Sequence, residues 1–72
     1  ESLREMKSTA SISEREREII RLIADEFTTK EIAEQLHLSP HTIESHRQNI
    51  MLKLGAKNSA GLVKYAIQKG LI

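Results

Sequence analysis

The chain has no cysteine and no tryptophan, and among 72 residues it has one proline, three glycines, one Tyr and one Phe. Without cysteine, disulfides and thiolate metal sites are excluded. With so few aromatics, the core must be built from aliphatic side chains. No apolar run approaches the length of a membrane span, and no signal-peptide pattern opens the sequence, so a cytoplasmic protein is expected. What is present in quantity is Ile, Leu, Ala, Glu, Lys and Arg, a composition that favours an all-α fold. Seventy-two residues allow one small domain with one modest core.

A formal net charge of +1 does not by itself point to nucleic acid, but its distribution is uneven. Residues 1–27 carry five basic and seven acidic side chains, whereas residues 28–72 carry six basic, three acidic and all three histidines. The basic excess lies in the half that holds the most clearly delimited helix. That helix follows Leu38-Ser39-Pro40. Ser39 is a good N-cap, and Pro40 falls at the first helical position, where its fixed φ suits the helix. Leu38 and Ile43 form a hydrophobic staple, and Gly55 supplies the left-handed stop.

The spacing therefore predicts a helix over 40–54. Ile43, Ile50 and Leu54 form its apolar side, with His46 and Arg47 at the edges. The reverse side carries His41, Ser45 and Gln48, flanked by Glu44, Thr42 and Asn49. A face needed only for solubility usually carries Lys and Glu in i,i+4 pairs. Short amides and hydroxyls are instead the groups that pair with base edges in a major groove.

Earlier in the chain, residues 1–11 lack a sustained apolar pattern and read as a linker or disordered N-terminal segment, leaving a domain over 12–72. Ser13-Glu14-Arg15-Glu16 is a capping box that opens a helix ending near Asp25, with Ile19, Ile20, Leu22 and Ile23 inward. Thr28 and Glu31 repeat the device for a short helix ending near Leu36. Only His37 and Leu38 separate that helix from the cap at Ser39, which fits a helix-turn-helix rather than an antiparallel bundle. Ala33 supplies the small side chain that a close crossing needs. A last helix is expected over 59–69, capped by Asn58 or Ser59 and stopped by Gly70. Its apolar residues cover more than one core contact requires, which leaves surface for a second subunit or neighbouring domain.

His37 and His41 have i,i+4 spacing, but a turn separates them and no Cys or carboxylate completes a metal-ligand set with His46. Neither a Gly-rich phosphate loop nor a nucleophile–base pair is evident. No metal, no cofactor and no enzymatic activity are expected.

Together, Ile12 to Ile20, Lys30-Glu31-Ile32-Ala33, Leu38 to Ile43, His46 to Ile50 and Lys53-Leu54-Gly55 resemble the LuxR/GerE-type helix-turn-helix. That domain commonly forms the C-terminal output of NarL/FixJ-type bacterial response regulators. The resemblance covers residues 12–72 and implies four helices, the third of them reading DNA. It further implies dimerisation through the fourth helix on inverted or direct half-sites, and an upstream receiver or ligand-binding domain. By position, Glu44, Ser45 and Gln48 fall where the family contacts bases, with His41 at the entrance to the groove. Lys30, Ser39, Thr42, His46, Asn49 and Lys53 match positions that touch phosphate or support those contacts. Ala60, Val63, Lys64 and Ile67 are the expected dimer surface.

Four residues depart from the family pattern. Glu26 stands where Gly is usual, and would cost on the order of 1–2 kcal/mol if forced into the left-handed region. Glu44 brings a carboxylate beside DNA, and Leu52 puts an apolar group where relatives are often basic. Gly61 weakens the first turn of the last helix by roughly 1 kcal/mol. The resemblance implies sequence-specific binding of duplex DNA by a transcriptional regulator. The competing readings are region 4 of a sigma factor, whose opening is similar but whose reading helix is usually more basic, and a protein-interaction module without DNA function.

Overall fold

A computed structural model of the chain describes residues 12–72, so the linker expected over 1–11 lies outside the described residues. The described residues form four helices: α1 (Glu14–Ala24), α2 (Thr29–Leu36), α3 (Pro40–Leu54) and α4 (Ser59–Gln68). Every helix begins with a side-chain cap. The amide of Glu16 donates to Ser13 Oγ (3.1 Å) and that of Glu31 to Thr28 Oγ1 (3.1 Å), and each Glu carboxylate accepts in return from its cap residue's amide. The Thr42 amide donates to Ser39 Oγ (3.1 Å) and the Gly61 amide to Asn58 Oδ1 (2.8 Å). These bonds satisfy N–H groups that the first turn of a helix leaves without partners.

The four stops share one geometry. At Glu26, His37, Gly55 and Gly70 the backbone turns left-handed, with φ of 68°, 59°, 73° and 72°. The next amide then reaches back five residues: Phe27 to Leu22, Leu38 to Ala33, Ala56 to Met51 and Leu71 to Ala66, at 2.8–3.0 Å. This is the Schellman arrangement, which captures an orphaned carbonyl and turns an apolar residue back toward the core. Phe27, Leu38, Ala56 and Leu71 are those residues, and all four are partly buried against it. The strain expected at Glu26 is present. His37 adopts the same conformation, which the sequence did not mark. α4 ends at Gln68, one residue before the expected limit, with Lys69 as its cap.

Aliphatic residues fill the interior. Ile19, Ile20, Ile32, Ile43, Ile50 and Leu62 are fully buried, with Ile12, Ala33, Leu54 and Ala66 beside them. Five of the six large side chains are isoleucine, whose branched Cβ leaves few rotamers in a helix and so little side-chain freedom to lose on burial. Leu22 and Ile23, expected inward, are only partly buried. Gly61 is half-buried in the first turn of α4. A methyl group there would meet Asn58 Oδ1 at 3.5 Å and the Ala56 Cβ at 3.6 Å, both ordinary contacts.

One ion pair joins the start of α1 to the end of α3. The Lys53 ammonium donates to Glu16 Oε1 (2.9 Å) and Oε2 (3.0 Å), and the same carboxylate caps α1 through Ser13. Glu16 is the buried charged residue of the interior, at 7% exposure. Burial alone pushes its pKa up. The Ser13 amide and the hydrogen-bonded Lys53 outweigh that effect, aided by the nearby His46, and hold the carboxyl below its ordinary value.

Glu26→Gly removes left-handed strain and should leave the melting temperature unchanged or raise it; a clear fall would show that the Glu26 side chain adds more than its backbone conformation costs. A depressed folded-state pKa at Glu16 contributes stability that is complete above the unfolded carboxylate value and lost as pH falls through the folded one. Thermal melts taken downward from pH 7 should therefore lose stability below about 4.5, the ordinary value. Glu16→Gln, which keeps the cap, should be less stable at neutral pH and show a shallower acid slope. Equal slopes would remove Glu16 as a source of acid sensitivity.

Candidate nucleic-acid interface

α3 crosses the core with Ile43 and Ile50 fully buried and Leu54 nearly so. A helix period of 3.6 residues then fixes what the other sides present. His41, Ser45, Gln48 and Leu52, at i, i+4, i+7 and i+11, form one row, and all four are exposed. Thr42, His46, Asn49 and Lys53 form a parallel row along one flank, with Asn49 exposed and the other three half-buried. Glu44, Arg47 and Met51 lie along the opposite flank, all three half-buried. The residues expected from the sequence thus divide into an outward row and two flanks.

Glu44 is held from two directions. Thr29, in the first turn of α2, donates its hydroxyl to Glu44 Oε2 at 2.6 Å. Arg47 Nη2 donates to both carboxylate oxygens, at 2.6 and 2.8 Å. Arg47 Nη1 meanwhile donates to Ser59 Oγ, at the start of α4, at 2.7 Å. One chain of side-chain hydrogen bonds therefore ties α2, α3 and α4 together. The Arg47 hydrogen bonds, then the one from Thr29, hold the Glu44 carboxyl below its ordinary pKa despite partial desolvation, so it is ionised at neutral pH. A carboxylate offers about four acceptor positions. The bonds to Thr29 and Arg47 use most of that capacity, and a cytosine amino group would have to share what is left.

Lys53, expected to contact phosphate, has its ammonium on Glu16. Its removal would leave a buried carboxylate without that partner, at a cost of about 1–3 kcal/mol to the fold. A loss of DNA affinity in that variant would not isolate a phosphate contact. Lys30, in the first turn of α2, is exposed and is the cleaner probe. At the N-terminus of α3, the Ser39 and Thr42 hydroxyls hydrogen-bond each other at 2.9 Å. Positive dipole and hydroxyl donors there are suited to an anionic oxygen.

Sequence reading named Glu44 but not its partners. The Glu44–Arg47 spacing of three residues on one helix was a signal for an ion pair. Nothing local joined Thr29 or Ser59 to it, because those contacts depend on how the helices cross. On α4, Leu62 and Ala66 are fully buried, while Ala60, Lys64 and Ile67 are exposed and Val63 is half-buried. The expected dimer row thus points away from the core, with Ile67 at 60% exposure. Among the described residues no group of three or more His, Asp or Glu could hold a metal ion, and no helix is long and apolar enough to cross a membrane.

With this geometry in hand, the comparisons with known proteins point one way. Residues 10–66 match the sequence profile of the "Bacterial regulatory proteins, luxR family". Over 61 residues the chain is 49% identical to the oxygen regulatory protein NreC of Staphylococcus aureus, in strains JH9, JH1 and USA300 alike. That stretch covers 85% of this chain and 28% of each relative, so the chain spans less than a third of their length. The matched region contains the capping boxes, the short turn at His37–Leu38 and all of α3. The chain belongs to the luxR family of bacterial regulatory proteins.

Proposed function

We propose that residues 12–72 bind duplex DNA sequence-specifically, as the DNA-binding domain of a longer bacterial transcriptional regulator. In this reading α3 enters the major groove, and His41, Ser45 and Gln48 meet base edges. Glu44 borders the same groove, offering its remaining acceptor capacity to a cytosine amino group and disfavouring base edges that present acceptors there. Lys30, Ser39, Thr42, His46, Asn49 and Lys53 set register against the backbone. The observation that carries the reading is the outward row on α3, polar in its first three members and opposite two fully buried isoleucines. A polar row fixed in rotation by the core together with the polar contacts on its flanks is what groove recognition requires.

Two copies would pair through Ala60, Val63, Lys64 and Ile67 on α4, matching paired half-sites on DNA. The luxR-family relatives are named as regulatory proteins and are more than three times the length of the shared stretch. That difference supports further chain beyond this domain, and our reading takes it to include an upstream receiver or ligand-binding domain, as in a two-component response regulator working in the cytoplasm. No catalysis and no cofactor enter this reading.

The test is selection of duplexes from a random pool, followed by affinity measurements on the selected site. At low salt the chain should bind even random duplex weakly and with salt sensitivity. Absence of any such binding would favour the protein-interaction reading. Gln48→Ala should relax preference at one operator position, costing about 1–3 kcal/mol there, whereas Lys30→Ala should weaken all sequences alike and reduce the salt slope by about 1. Uniform losses in both variants would show that the reading row has been misassigned.

A further inference from the structure

Leu52 has no role in the fold or in the polar reading described so far. It is 80% exposed, more than Ile67 at 60% or Ile72 at 37%. Leucine so far out of the core does not stabilise the fold by burial, and it continues the row of His41, Ser45 and Gln48 rather than lying on a flank. Gln48 and Leu52 also line one shallow surface depression, together with Met51 and Ala56. The row therefore begins polar and ends apolar, and its apolar end is continuous with the residue expected to read a base.

We propose that Leu52 reads DNA by apolar contact, recognising the 5-methyl group of a thymine in the major groove. The proposal rests on the DNA-binding reading and extends it. Each base pair presents donors and acceptors in that groove, and thymine alone adds a methyl group. A leucine has no hydrogen bond to offer a base edge or phosphate, so the methyl is the partner in the groove whose chemistry matches it. Contact removes water from both apolar surfaces, which is favourable and needs no precise orientation. The spacing makes the prediction local. Four residues of helix advance about 6 Å, and a helix lying in the major groove is inclined to the duplex axis. The advance along DNA is thus at most about two base-pair steps of about 3.4 Å, and the thymine should lie one or two steps from the position that Gln48 reads.

The experiment replaces each thymine of the selected site with deoxyuridine, which removes only the methyl group. Wild-type chain should lose roughly 3- to 10-fold in affinity at one position per half-site, the scale of one buried methyl contact. That position should fall within the stated distance of the one whose preference Gln48→Ala relaxes. Leu52→Ala should bind the thymine and deoxyuridine duplexes equally, near the wild-type affinity for the deoxyuridine duplex. Because Leu52 is exposed, its melting temperature should match wild type, separating recognition from folding. The proposal is overturned by a selected site without thymine in that window, by no deoxyuridine effect at any position, or by an equal effect in Leu52→Ala. Failure of wild-type chain to bind any duplex would instead bring down the DNA-binding reading itself, and the thymine contact with it.

Discussion

Everything outward about α3 depends on its rotation about its own axis. A slip of one residue turns a helix by about 100°, which would carry Gln48 off the outward row and bring a flank in its place. Three sets of contacts oppose that slip. Ile43 and Ile50, fully buried, set the depth and side of the helix. The bonds from Thr29 and Arg47 to Glu44, and from Arg47 to Ser59, hold one flank against α2 and α4. The pair of Lys53 with Glu16 holds the other flank against α1. Apolar burial is non-directional and leaves angular play, whereas short charge-assisted hydrogen bonds restrict it. The core locates α3, and the polar contacts on its two flanks orient it.

Local features were legible in the sequence because their partners are close along the chain. Ser13, Thr28, Ser39 and Asn58 each bond an amide three residues on, and the cap residues, with Gly55 and Gly70, marked most helix limits to within a residue. The strain at Glu26 was legible through the family resemblance, which places Gly there. His37 was not visible. A histidine enters the left-handed region at modest cost and carries no mark of having done so. The clearer sign was the apolar Leu38 after it, which repeats the place of Phe27, Ala56 and Leu71 after the other three helices. Glu16–Lys53 was beyond reach for a different reason. Its partners lie 37 residues apart, and only the assembled crossing of α1 and α3 brings them together.

Leu38 serves two helices at once. Its amide closes α2 by reaching Ala33, and its side chain lies immediately before the Ser39 cap that opens α3, packed against the core. The turn has no spare residue in which a change at one helix could be absorbed before the next begins. α2 and α3 are consequently joined through Leu38 as well as along the chain. The exposed Lys30 near the start of α2 therefore keeps a fixed relation to the outward row of α3, as contacts to backbone and bases at the same time would require.

The outward row and the residues that fix it are almost separate sets. His41, Ser45, Gln48 and Leu52 are exposed, while Ile43, Ile50, Arg47 and Lys53 do the anchoring. Substitutions at the first set can therefore change the surface that α3 presents without disturbing the contacts that fix its rotation. Glu44 and Lys53 are the exceptions, each expected at the DNA interface while bound into the scaffold. A replacement at either position must satisfy two demands together, so it constrains the fold as well as the surface.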